Sequence, residues 1–221
     1  MEVEHRKAAE YFDRSGRLFD QLYSEQETGA IMRWVNRVFR RDIYIRYLMT
    51  LDHISAERAK TVLDVGVGGA KYAEGYAQCG VESVTGVDIS RTMLDFAEDH
   101  IKTIPESDTS FEFILSDIDQ YDPERKFDVV VAMGFFDYVA DPLETLKRLN
   151  SFCVKSVIAS FPSISIWRTP IRKLRYWYKK CPVRFFRRSE IKSLSADAGF
   201  KSCEIEKVRG SGMDYVAIFR K

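Results

Sequence analysis

The chain has 221 residues, with 34 Lys plus Arg against 33 Asp plus Glu, 45% apolar and 13% aromatic residues. That make-up describes a globular protein with one substantial core and excludes a wholly disordered chain. Apolar runs such as 129–133 fall far short of the roughly 20 residues that cross a bilayer, so no transmembrane helix is expected.

The first residues, Met-Glu-Val-Glu-His-Arg-Lys, are charged and lead into no apolar signal core, which makes a cytoplasmic protein the expectation. Residues 1–58 read as helical and polar, a cover segment set before the main domain at 59–221. Ile31, Val35, Val38 and Phe39 share one helix face while Arg33, Arg37, Arg40 and Arg41 lie mostly elsewhere, the pattern of a solvated basic face in preference to a nucleic-acid surface. From Thr61 the texture changes to short β-branched runs alternating with helix-length segments, as in a parallel sheet with helices on both faces. Strands are predicted at 61–65, 83–87, 111–115, 127–133 and 154–160, with helices at 70–78, 90–101 and 142–151. Ser90 is an N-cap, and Asp141 caps a helix that has Pro142 in its first position. After an insertion at 161–188 a helix begins at Ser189 and Glu190 and ends near Gly199. Two closing strands, 200–208 and 214–220, bring the count to seven.

Cys79, Cys153, Cys181 and Cys203 are widely spaced, and His5, His53 and His100 stand alone. No metal-ligand spacing and no Ser/His/Asp or Cys/His constellation can be read from them, so no metal is expected and a hydrolase reading has no support.

The chemistry is concentrated where strands end. Val62-Leu63-Asp64-Val65-Gly66-Val67-Gly68-Gly69-Ala70 is an apolar strand carrying an acid into a glycine-rich turn, which lets a ligand approach the backbone closely, ahead of a helix N-terminus that favours a negative group. The second strand ends on Asp88, 22 positions after Gly66, and its two carboxylate oxygens can accept both hydroxyls of a ribose. A dinucleotide fingerprint would need Gly or Ala at position 71, where Lys71 stands. An acid beside the turn, Asp64, suits a cofactor with a positively charged amino-acid end, such as S-adenosylmethionine, better than a pyrophosphate.

With these residues the chain resembles the class I S-adenosylmethionine-dependent methyltransferases of small-molecule type, over about 61–160. The family's acidic-x-G-x-G-x-G motif is matched by Asp64, Gly66 and Gly68, with Ala70 in place of the third glycine. The resemblance implies a Rossmann-like α/β sheet of order 3-2-1-4-5-7-6 whose last strand is antiparallel. It implies S-adenosylmethionine as cofactor and S-adenosylhomocysteine as product. Asp64, Gly66 and Gly68 would surround the methionine end, Asp88 would hold the ribose, and Ile89 would pack on the adenine or simply in the interior. After strand three, Asp117, in preference to Asp119, would accept the adenine amino group, with Ile118 beside it. Met133 and Gly134, after strand four, would supply backbone near the methionine, and Phe136, Asp137 and Tyr138 would face the acceptor unless they serve packing or capping. Asp137 or Tyr138 is the candidate base for a hydroxyl acceptor.

Residues 166–188 hold nine basic and six aromatic residues and no acid. Four readings stand: a lid recognising an anionic or lipid-linked acceptor through Arg172 and Arg175, a peripheral membrane segment, an RNA surface, or a solvated helix. RNA ranks below the first two, since no sequence-specific nucleic-acid motif accompanies the patch. The segment around Tyr11 and Tyr23 is similar to the helical covers of quinone- and porphyrin-pathway methyltransferases, which gives Tyr23 a place against cofactor or acceptor. The absence of an N-P-P-Y motif after strand four points away from nucleobase amino groups. O-methylation of a small or lipid-linked acceptor is therefore the leading expectation, with RNA methylation or a non-catalytic S-adenosylmethionine-binding scaffold as alternatives; nothing in the sequence bears on oligomeric state.

Overall fold

The computed structural model describes residues 30–104, 107–163, 184–208 and 214–221, with side chains from Arg41 onward. In chain order the elements are α1 (Ala30–Glu57), β1 (Thr61–Val65), α2 (Ala73–Gln78), β2 (Ser83–Asp88), α3 (Arg91–Ile101), β3 (Ser110–Leu115), β4 (Phe127–Ala132), α4 (Pro142–Phe152), β5 (Cys153–Phe161), α5 (Arg188–Asp197), β6 (Ser202–Lys207) and β7 (Tyr215–Arg220). The strands form one sheet in the order β3-β2-β1-β4-β5-β7-β6. The pairs from β3 through β5 are parallel, and β7 runs antiparallel to both β5 and β6. This is the sheet expected from the sequence.

Alternation along each strand divides its side chains between two cores. Leu63, Val65, Val130 and Ala132 pack with Leu146, Leu149 and Ile191 on the α4–α5 face. Val62, Val129, Val131 and Ile158 pack with Ile54 and Tyr76 on the α1–α2 face. Because both faces are covered, the central strands read as continuous apolar runs. Asp64 lies between Leu63 and Val65 in β1 and is turned toward the α1–α2 side, where Tyr76 meets it.

Several polar clamps fix the strand ends. Asp128 accepts from the backbone N–H groups of Lys60 and Thr61 at 2.7 and 3.2 Å and donates its own N–H to Thr61 Oγ1, tying the start of β4 to β1. The Ser90 hydroxyl accepts from Met93 N–H, Asp141 accepts from Leu143 and Glu144, and Gly199 beyond α5 has φ +83°. These are the stop and start signals the sequence displayed. α1 lies antiparallel to β5: Arg46 reaches Ser160 Oγ at 3.4 Å, His53 Nε2 meets Ser156 Oγ at 2.8 Å, and Glu57 is paired with Arg220. Its N-terminal part thus extends toward the C-terminal ends of the parallel strands.

The helix expected from Ala70 begins three residues later. Ala70 has φ +52°, and two successive tight turns, Ala70 N–H to Val67 C=O and Ala73 N–H to Ala70 C=O, both at 3.0 Å, precede α2. An L-residue in the left-handed region costs roughly 1–2 kcal/mol, which the surrounding packing of Ala70 with Leu94 and Ala97 offsets.

Candidate cofactor and acceptor site

The loops after β1, β2, β3 and β4 come together at one edge of the sheet, because parallel strands in register deliver their C-terminal ends to the same side. Asp64 is level with Gly86 in β2 and Val131 in β4, and Asp88 is level with Leu115 in β3. This is where open α/β sheets bind ligands.

The glycine turn is built around Asp88. Gly66 and Val67 both donate to Val87 C=O, at 2.8 and 3.2 Å, and Gly68 N–H donates to Asp88 Oδ2 at 2.9 Å. Asp88 Oδ1 accepts from Ser90 N–H at 2.9 Å. The carboxylate is therefore held rigidly between the turn and the start of α3. Gly66 and Gly68 have φ +70° and +53°, which favours glycine. A Cβ on Gly66 would also sit 3.0 Å from Phe135 Cδ2, so the loop after β4 closes over the turn and leaves no room for a side chain. His100 Nδ1 lies 3.0 and 3.1 Å from the carbonyls of Gly69 and Ala70. Carbonyls only accept, so Nδ1 carries the proton, and α3 fastens the turn from below.

Asp64 is 4% exposed and accepts a 2.8 Å hydrogen bond from Tyr76. Burial pushes its carboxyl up to about 7; the Tyr76 hydrogen bond opposes that rise and the nearby Asp88 charge adds to it. The methionine-side acid expected from the sequence is thus poised between its charged and neutral forms near neutrality. Ile89 is half-buried beside Asp88.

After β3, Asp117 Oδ1 accepts from Asp119 N–H at 3.0 Å, forming an Asx turn that directs the chain away from the strand. The side chain of Ile118, beside Asp117, is 5% exposed and lies in the α4–α5 core, so a ligand here would meet its backbone. After β4, Met133 is half-buried, and Gly134 N–H donates to the buried hydroxyl of Ser160 at 2.7 Å. Phe136 is a correction. It is 0% exposed and stacks on Phe161 with centroids 4.5 Å apart, so it is core and not an acceptor contact. Asp137 and Tyr138 are half-buried in the same loop.

The chain re-enters the described structure at Arg184, whose N–H donates to Asp137 C=O at 3.2 Å. Phe186 is buried against Phe161, and Arg184 pairs with Glu190 at 2.9 Å. The last part of the basic stretch is therefore anchored structure, and it abuts the loop holding Asp137 and Tyr138. Tyr23, Arg172 and Arg175, with most of 161–188, lie outside the described residues. Among the described residues no group of His, Cys, Asp and Glu could hold a metal, and no helix is long and apolar enough to cross a membrane.

Sequence reasoning missed three contributors: Tyr76, Ser160 and His100. Each is an isolated polar residue that meets the site only through the fold, 12, 26 and 31 positions from its partner, so no local pattern could mark it.

The sheet order and the loop cluster after β1, β2, β3 and β4 define a Rossmann-like methyltransferase fold. The family model described as "Methyltransferase domain" matches residues 23–205, and the chain belongs to this family. It is 31% identical over 169 residues to the mitochondrial ubiquinone biosynthesis O-methyltransferase of Candida albicans, covering 70% of this chain and 51% of that protein. It is 36% identical over 121 residues to the Neisseria meningitidis ubiquinone biosynthesis O-methyltransferase, covering 53% of this chain and 50% of that one. The chain thus spans about half the length of the curated relatives it matches. Among solved structures, magnesium protoporphyrin IX methyltransferase from Synechocystis PCC 6803 with bound S-adenosylhomocysteine superposes with a TM-score of 0.73 at 18% identity, covering 99% of both chains.

Proposed function

We propose that this protein transfers a methyl group from S-adenosylmethionine to an oxygen of a small or lipid-linked, anionic acceptor. The observation that carries the reading is the Asp88 carboxylate, locked across the glycine turn by Gly68 and Ser90, with Asp64 buried close behind it. The residues present suit the cofactor: a glycine, Gly66, whose Cβ would sit 3.0 Å from Phe135, an acid for a ribose, and a second acid for an ammonium. The similarity to ubiquinone biosynthesis O-methyltransferases favours oxygen as the methylated atom.

When bound, S-adenosylmethionine would supply a sulfonium-activated methyl group, which an acceptor oxygen would take with S-adenosylhomocysteine as the leaving group, so the protein's task is chiefly alignment. Well-oriented reactants gain roughly 7–11 kcal/mol in favourable systems. Asp88 would hold the ribose, Asp64 the amino group, Asp117 the adenine amino group, and the backbone of Met133 and Gly134 the methionine side. Asp137 or Tyr138 would take the acceptor's hydroxyl proton, and Tyr23, Arg172 and Arg175 would grip the acceptor.

Incubation with methyl-labelled S-adenosylmethionine and a panel of phenols, with and without prenyl chains and carboxylates, tests the reading. Label in an ether-linked methyl group, lost in Asp88→Ala, supports it. Transfer to nitrogen or to RNA instead, or none with cofactor bound, would overturn it.

A further inference from the structure

Among the buried titratable groups that the mechanism leaves unused is the Tyr76 hydroxyl. Tyr76 is 1% exposed, on a face where its neighbours Val62, Val84 and Val131 are apolar. A phenylalanine would fill the same volume, so the hydroxyl must be explained by what it touches, and it touches Asp64 Oδ2 at 2.8 Å. The ring is fixed from behind. Tyr76 lies against Tyr72 with ring centroids 6.0 Å apart, and Tyr72 against Tyr47 of α1 at 5.3 Å. A Cβ on the neighbouring Gly75 would come within 2.5 Å of the Tyr47 hydroxyl and Leu51, so α1 presses directly on α2. The cover helix thereby sets the position of a phenol that reaches the strand-one acid.

From this geometry we infer that Tyr76 is a positioning residue for Asp64: its O–H fixes one carboxylate oxygen so that the carboxylate is presented to the ammonium end of the cofactor. The inference rests on the proposed reading of Asp64 as the cofactor's amino-group partner.

The charged and titratable groups around Asp64 are few. Asp88 faces it from β2 and Tyr76 from α2, with Tyr72 and Tyr47 standing behind Tyr76. Burial and Asp88 both favour the neutral acid, whereas the hydrogen bond from Tyr76 favours the carboxylate. Cofactor affinity should therefore be present above the Asp64 pKa and fall as pH drops through it. Removing the hydroxyl moves that fall to higher pH. A hydrogen bond to a charged group of ordinary strength corresponds to about one pH unit or more.

The test is calorimetric titration of wild type and Tyr76→Phe with S-adenosylmethionine and with 5′-methylthioadenosine, which lacks the amino-acid end, between pH 6 and 8.5. In Tyr76→Phe, binding of S-adenosylmethionine should weaken about tenfold at pH 6.5, its acid limb moving up by about one unit, while methylthioadenosine binding is unchanged. A structural role would weaken both ligands alike at every pH. Equal affinities and an unmoved limb would overturn the inference while leaving the cofactor reading intact. Failure of wild type to bind either nucleoside would overturn both. Should Tyr76→Phe fail to fold, 3-fluorotyrosine at position 76, a more acidic donor, must shift the limb to lower pH, and an unmoved limb refutes the role.

Discussion

Asp64→Asn should stabilise the ligand-free protein at the expense of its site. In the folded chain burial pushes the Asp64 carboxyl up to about 7 from an ordinary 3.8. The folded state therefore holds this proton more tightly than the unfolded state, and stability is lost as pH rises from about 4 to about 7. The difference of about 3 pH units, at 1.36 kcal/mol each, sets the loss at up to about 4 kcal/mol at pH 8. Asn fills the same space, still accepts from Tyr76 through its carboxamide oxygen, and does not ionise. Urea unfolding at pH 8 should show the variant more stable by about 2–4 kcal/mol, with a melting temperature roughly 10 °C higher, and the gap should close toward pH 4. Equal stability at pH 8, or a gap that persists unchanged at pH 4, would refute the burial argument. The variant should at the same time bind S-adenosylmethionine more weakly, a trade of function for stability.

Other perturbations probe separate parts of the account. Gly86→Ala places a Cβ 2.8 Å from Phe113 and 3.0 Å from Val67, and should cost about 1–3 kcal/mol of stability in denaturant titration. Burial holds the His53 imidazole below its usual pKa, so its contribution to stability is lost as pH falls through about 6.5; His53→Gln, read by the difference in melting temperature from wild type, should flatten that acid-side loss. Changing Arg172, Lys173 and Arg175 together to Ala should raise the acceptor KM several-fold and leave cofactor affinity unchanged; loss of both would contradict a lid role.

Most of the fold was legible because the physics is local. β-Branched runs gave β1, β2, β4 and β5, and Ser90, Asp141 and Gly199 marked helix ends through side-chain caps and positive φ. The turn of Gly66, Gly68 and Asp88 was legible for the same reason: positive φ at the two glycines and the Gly68–Asp88 hydrogen bond fix their spacing. Ala70 misled, because an alanine in the left-handed region carries no sequence signal and delays α2 by three residues. Phe136, read as facing the acceptor or packing, turns inward for another reason. A loop after a strand reverses direction within a few residues, and which side chain turns inward depends on packing against Phe161 and the α4–α5 core. Tyr76, Ser160 and His100 were invisible because their partners meet them only once the sheet is assembled.

The most direct test of the central claim is a parallel calorimetric titration of S-adenosylmethionine, S-adenosylhomocysteine and NAD into wild type and Asp88→Ala. The account predicts that wild type binds the two sulfur nucleosides and not NAD, and that Asp88→Ala weakens both by at least tenfold through loss of charge-assisted hydrogen bonds to the ribose. Binding of NAD alone, or nucleoside affinities indifferent to Asp88, would contradict it.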